Sequence, residues 1–326
     1  MVSDRFTPVP PDRLWIDTDM GFDDLAAILL IRARTTRIDG LSLVAGNTLL
    51  DQVVANAMSA AEVFGWDMPI HVGARDAIAG ERITPFFAPG ETGMPGSRYQ
   101  LPPTGQRPDS QDAVGALADW IRAGGRTVLA LGPLTNIAAL LTREPELATR
   151  FRLLWLGGSA GAGNQTATAE CNAYADPEAV QILCDSGLDW AMIGLDTCKQ
   201  VTVTIVDAEL IRAMGGPRAE LLADMLDGYA RTPDPLGRRP MPLYDPVAAA
   251  ALMDPSTVLF HPVRVDCELE GKLTRGMTVV EWRSYVKAPN LMIATSTSPD
   301  MVRELFLTGL AVAAIEEPAV RRRAGV

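Results

Sequence analysis

Histidine is almost absent: the 326-residue chain holds His71 and His261 and no other. Both lie in short apolar contexts, Pro69-Ile-His-Val72 and Leu259-Phe-His-Pro262, that suit structural residues better than catalytic ones. Chemistry resting on an imidazole is therefore poorly supplied. Cysteine is scarce too. Cys171, Cys184, Cys198 and Cys267 form no CxxC pair and have no histidine nearby, which leaves a zinc site of the usual spacing unsupported. Reduced, mostly buried thiols fit better. No basic run exceeds Arg321–Arg323 and the formal net charge is −11, which argues against nucleic acid or an anionic membrane as partner. A small neutral substrate or a cation suits this charge. No apolar stretch is long enough to span a bilayer. The opening MVSDRFTPVPPDR lacks the apolar segment of a signal peptide, so the expected location is the cytoplasm.

What is present is an ordinary globular balance, 48% apolar against 21% charged, enough for one large core. Residues 1–326 are read as a single domain with 1–12 as a flexible extension. Short apolar runs alternate with helical patterns. Strands are expected at Arg13–Asp17, Leu41–Ala45, Pro69–Val72, Arg126–Leu131, Phe151–Leu156 and Asp189–Leu195. Helices are expected at Asp23–Ala33, Asp51–Phe64 (its first residue a cap), Gln111–Ala123, Thr135–Leu141 and Asp176–Ser186. This rhythm implies an α/β fold, with a central, mostly parallel sheet flanked by helices. After Val203 come helices at Asp207–Met214, Pro217–Ala230 and Pro246–Met253, then a small C-terminal hairpin, Val258–Glu270 with Met277–Trp282. A strand at Leu291–Thr295 and a helix opened by Ser298-Pro299 close the chain. Two long loops, Ala74–Asp109 and Thr232–Leu243, are read as lids over a site.

Asp17-Thr-Asp-Met-Gly-Phe-Asp-Asp24 lies between the first strand and helix, where open α/β sheets place ligands. Four carboxylates in eight residues would repel one another without a cation, and carboxylate and carbonyl oxygens are the donors that calcium or magnesium takes. Asp23 and Asp24 also suit a helix start, and Gly21 is expected to supply a positive φ for the turn. Capping alone leaves Asp17 and Asp19 unexplained.

The cluster resembles the DTDPGxDD signature of the nucleoside hydrolases, the inosine-uridine-preferring family, with Met20 where proline is usual. Further matching segments follow in family order: Ala45-Gly-Asn47, Gly132-Pro-Leu-Thr-Asn-Ile137, Leu156-Gly-Gly158, Asn164, Glu170-Cys-Asn172, Asp176-Pro-Glu178, Asp245-Pro246 and Gly271-Lys-Leu-Thr-Arg-Gly276. Together they span about Leu14 to Ala314. The resemblance implies hydrolysis of an N-riboside to free base and ribose by a calcium-activated water. It implies metal ligands Asp19, Asp24, the carbonyl of Leu131 and Asp245. Asp19 would be the general base, Asp23, Asn47 and Asn172 would hold the ribose hydroxyls, and Asn164 and Glu170 the 5′-hydroxyl. Relatives form dimers or tetramers, so a homo-oligomer is expected.

The pattern breaks at the base. Many members carry histidine directly before the late Asp-Pro pair; here Tyr244 stands there, able to donate a proton or stack on the base. Another histidine-bearing position falls near Pro89. Leu156 replaces a methionine and Cys171 a phenylalanine at the ribose end. Two alternatives remain. One is a non-catalytic or weakly active nucleoside or ribose binder. The other is a magnesium-dependent DxD phosphatase with Asp17 as nucleophile and Asp19 as acid.

Overall fold

The computed structural model describes residues 9–79, 92–232 and 240–316. Residues 1–8 of the expected extension, Pro89, parts of both expected lids and Arg321–Arg323 lie outside the described residues.

The strands are β1 (Arg13–Thr18), β2 (Arg37–Leu43), β3 (Ile70–Val72), β4 (Thr127–Ala130), β5 (Arg152–Leu156), β6 (Asp189–Ile193), β7 (Thr202–Val203), β8 (Met241–Pro242), β9 (Val258–Cys267), β10 (Thr278–Glu281) and β11 (Leu291–Thr297). The helices are α1 (Phe22–Arg32), α2 (Leu50–Val63), α3 (Ala113–Arg122), α4 (Thr135–Arg143), α5 (Cys171–Ala175), α6 (Pro177–Asp185), α7 (Leu195–Cys198), α8 (Ile205–Met214), α9 (Ala219–Arg231), α10 (Asp245–Met253) and α11 (Pro299–Ile315).

Nine strands form one sheet in the order β10-β9-β11-β6-β5-β4-β1-β2-β3. All neighbours from β11 to β3 pair in parallel; β9 runs antiparallel to β11, and β10 antiparallel to β9. The expected C-terminal hairpin is therefore not an appendage but the continuation of the main sheet. The chain runs from β1 outward to β3 and returns to β4 on the other side of β1. That reversal opens a crevice at the carboxyl ends of β1 and β4, where such sheets bind ligands.

Both faces of the sheet are buried, and the two-residue strand period sorts its side chains between two cores. Leu14, Ile16, Leu129, Leu154 and Ile193 face one core, which holds α1, α2, α9, α10 and α11. Trp15, Val128, Leu153, Trp155 and Met192 face the other, under α3, α4 and α6. Helix α1 is buried from Phe22 to Ile31, because α10 and α11 pack over the surface a peripheral helix would expose. Gly309 permits that approach: a Cβ there would stand 2.5 Å from the Cα of Leu30.

Three local expectations need correction. β2 begins at Arg37, earlier than Leu41, because its polar residues are paired: the carboxylate of Asp39 accepts from Arg13 Nε at 2.5 Å, Arg37 Nε at 2.6 Å and Trp120 Nε1 at 2.7 Å. Asp51 does not cap α2; Leu49 holds the cap position and Asp51 pairs with Arg75. Ser298 does occupy the cap of α11 with Pro299 just inside it, as expected, without a side-chain hydrogen bond. Gly21 has φ −78°, and Met20 takes the positive φ, +50°. The backbone N–H of Met20 donates to Thr18 Oγ1 at 3.0 Å, a bond the family's proline cannot make. Among the described residues, no helix is long and apolar enough to cross a membrane.

Candidate active site

The carboxyl end of β1 turns at Met20 into α1, and each aspartate of the turn acquires different partners. Asp24 Oδ1 accepts from Thr18 Oγ1 at 2.5 Å and Oδ2 from Gly21 N at 2.9 Å, so it ties the start of α1 to the end of β1. Asp19 is held by the loop after β2: Asn47 N donates to Oδ2 at 2.5 Å and Asn47 Nδ2 to Oδ1 at 3.2 Å. Gly46 leaves room for this. A Cβ there would stand 1.7 Å from Asp19 Oδ2. Asp17 turns into the interior, where Ser42 Oγ and Asn136 Nδ2 donate to its Oδ1.

Burial raises the pKa of Asp17, Asp19, Asp23 and Asp245. Burial, then the charge of Asp24, lifts Asp19 well above the usual carboxylate range. The same two causes push Asp23 up to about 7. Burial, then the charges of Asp24, Asp23 and Asp19, raises Asp245 strongly. Burial alone dominates for Asp17, pushed up to about 7. Among the described residues no ion pair links a lysine, arginine or histidine to any of these five carboxyls.

Asp23, Asp24 and Asp245 each offer an oxygen within 4.8 Å of the other two. Three hard oxygen donors, mutually repelling and shielded from water, fit a divalent cation of the calcium or magnesium type. This tight set includes Asp23, which the resemblance assigned to ribose. Asp19 stands outside it, against Asp24.

A cavity opens over the set. Its lining brings together Asp23, Asn47, Leu131, Asn164, Glu170, Asn172, Tyr244 and Asp245 from segments spread over most of the chain. Asp19 and Asp24 lie behind the wall, both almost fully buried. Asn172 Nδ2 donates to the carbonyls of Leu131 at 2.9 Å and Leu156 at 3.1 Å, so its own carbonyl oxygen is what it can offer a ligand. Asn164 Oδ1 accepts from Cys171 N at 2.9 Å, which leaves its amide nitrogen as a donor. Glu170 caps α5 and accepts from the amides of Gly158, Asn172 and Ala173 at 2.8–3.0 Å. Three amides favour its charged form, yet burial outweighs them and raises its pKa.

Residues given no site role from the sequence complete the wall: Ile193, Leu195, Cys198, Tyr229 and Met241. Tyr229 is buried on α9, tilts against the ring of Phe22 at 5.4 Å, and donates to the Pro242 carbonyl at 2.9 Å. In the sequence it reads as one more apolar helix position. The helix is fixed to the loop after β3 through Asp224, which accepts from Arg98 N at 2.7 Å, Tyr99 N at 2.9 Å and Ser97 Oγ at 3.2 Å.

Buried Asp17 does not line the cavity and is held by Ser42 and Asn136, which is incompatible with a phosphatase nucleophile.

The sequence profile of the inosine-uridine preferring nucleoside hydrolases matches residues 14–304. A protein of Enterobacter sp. (strain 638) named pyrimidine-specific ribonucleoside hydrolase RihA is 33% identical over 304 residues, 91% of this chain and 95% of its own. The protein of that name from Shewanella sp. (strain MR-7) is 36% identical over 82% of this chain and 85% of its own. Among solved structures, a purine-preferring ribonucleoside hydrolase from Gardnerella vaginalis superposes with a TM-score of 0.85 at 27% identity, covering 93% of this chain and 99% of that one. A plant nucleoside hydrolase superposes equally well at the same identity and coverage. With this match and this architecture, the chain belongs to the inosine-uridine-preferring nucleoside hydrolase family.

Proposed function

We propose that this protein hydrolyses the N-ribosidic bond of ribonucleosides to free base and ribose, with a calcium ion held by Asp19, Asp24, Asp245 and the Leu131 carbonyl. The observation that carries this is the buried set Asp23, Asp24 and Asp245, two of which line a cavity shared with Asn47, Asn164, Glu170 and Asn172. When bound, the ion supplies an anchor for the ribose 2′- and 3′-hydroxyls and a water of lowered pKa.

The chain's own residues do the rest. Asp19, fixed by both donors of Asn47, accepts the proton of the attacking water as general base. Asp23 and the Asn172 carbonyl accept from the ribose hydroxyls, and Asn47 flanks them. Asn164 donates to the 5′-hydroxyl, and Glu170 accepts from it. The carboxylates stabilise the oxocarbenium-like charge of the transition state. Tyr244 meets the departing base. Curated relatives are named pyrimidine-specific and a structural neighbour purine-preferring, so the base is to be established by assay. We treat residues 1–326 as one unit, acting in the cytoplasm as a homodimer or homotetramer, which light scattering would resolve.

The test is ribose release from a panel of ribonucleosides and p-nitrophenyl riboside, with and without a calcium chelator. The expected outcome is calcium-dependent release, reduced about 10²- to 10⁴-fold by Asp19→Ala. Tight nucleoside binding with no release from any substrate would instead favour the binding-protein reading, which the absence of histidine from the cavity wall motivates.

A further inference from the structure

Helix α2 buries one amide side chain against the turn that carries the aspartates. Asn56 is 5% exposed and shares the buried face of the helix with Val53, Ala57 and Ala60. A buried amide is costly unless its polar atoms find partners. Here they do. Nδ2 donates to the Met20 carbonyl at 3.1 Å and to the Thr92 carbonyl at 2.8 Å, and Oδ1 accepts from Gln52 Nε2 at 2.8 Å. Two carbonyl acceptors require the amide nitrogen on their side, which fixes the orientation of the group.

Met20 needs such support. Its φ of +50° is a conformation that residues with a side chain seldom take, and it persists only where the surroundings hold it. Its N–H is held by Thr18 Oγ1 at 3.0 Å and its carbonyl by Asn56. That carbonyl shares a planar peptide with the N–H of Gly21, which donates to Asp24 Oδ2 at 2.9 Å. Holding one end of the peptide therefore aims the other at Asp24. On the far side of the amide, Thr92 leads to Gly93, whose carbonyl accepts from Phe22 N at 3.0 Å at the start of α1.

We propose that Asn56 is a positioning residue of the cation site: through the Met20–Gly21 peptide it sets where Asp24 stands relative to Asp19 and Asp23. This rests on the calcium-dependent reading above. Asn56 does not line the cavity, so it acts through the backbone of the turn and touches neither ion nor substrate.

The test is calorimetric titration of calcium into chelator-treated wild type, Asn56→Leu and Gln52→Ala, each shown to be folded by circular dichroism. Leucine keeps the volume and removes the amide; Asn56→Ala replaces it should the leucine variant not fold. Gln52→Ala removes only the bond to Asn56 Oδ1 and keeps both donations. The expected calcium dissociation constant rises at least about tenfold in the Asn56 variant and stays close to wild type in Gln52→Ala. A merely structural role would lower the melting temperature and leave calcium affinity alone. A rise below about tenfold, or an equal loss in Gln52→Ala, overturns the positioning role and leaves the ribosidase reading standing. Wild-type protein that binds no calcium overturns the calcium reading, and the role with it.

Discussion

At the residue scale, the general-base role proposed for Asp19 requires that it be held still. Its two oxygens are fixed by one residue, Asn47, and its position depends on the missing side chain of Gly46. Gly46→Ala would drive a methyl group into Asp19 Oδ2 and displace the carboxylate. We expect turnover to fall about 10²-fold, since a misplacement of about 1 Å in a reacting group has that effect. Ribose release alongside circular dichroism checks it: activity should fall while the spectrum stays. The aspartates, asparagines and Glu170 were legible because each carries its chemistry in its side chain and stands in a motif. Tyr229 was not, because its place in the wall depends on how α9 meets β8 and Phe22, which no local pattern encodes. The conformational freedom of glycine makes Gly21 the natural place for a positive φ, but the turn takes it at Met20, whose N–H is held by the Thr18 hydroxyl.

At the element scale, the alternation of strands and helices gave the parallel sheet, since buried strands and amphipathic helices differ plainly in period. Element ends were less legible. Asp39 is polar in sequence yet paired three ways in the fold, which hid the start of β2. Asp224 is the analogous case with a functional consequence, as it joins α9 to the loop after β3. Burial raises its pKa, but the amides of Tyr99 and Arg98 and the hydroxyl of Ser97 outweigh that and hold it below the usual carboxylate range. A lowered folded pKa means its stabilisation is complete above the unfolded pKa, ordinarily 3.8, and is lost as pH falls through the folded value. Asp224→Ala should cost about 2 kcal/mol at neutral pH, and the difference from wild type should shrink on acidification toward pH values below 3.8. Thermal melts of both proteins across that range test this; a difference that grows in acid refutes it.

At the scale of the whole molecule, five buried carboxyls converge at one end of the sheet without a basic partner among the described residues. Folding concentrates this charge, so a cation that binds the folded state should stabilise it. At a free calcium concentration about 100 times the dissociation constant the gain is about 2.7 kcal/mol. The melting temperature should therefore rise by several degrees with calcium and fall back with chelator, and Asp245→Asn should reduce the rise. Equal melting temperatures with and without calcium would contradict the assigned ligand set.

The cavity wall is drawn from three stretches of chain, the middle one supplying Ile193, Leu195 and Cys198. The contacts proposed for ribose and cation come mainly from the strand ends and the segments that follow them, between Asp19 and Asn172, while Tyr229, Met241 and Tyr244 come from α9 and the segment leading into α10. On the proposed reading, and with Asp245 as the exception, bond cleavage and choice of leaving group are thus written in different parts of the polypeptide. A lineage could exchange one base for another by altering a short stretch around residues 229–244, while the hydrolytic machinery passes unchanged from ancestor to descendant. The same separation makes that stretch a natural cassette for redirecting the protein to chosen ribosides by directed evolution.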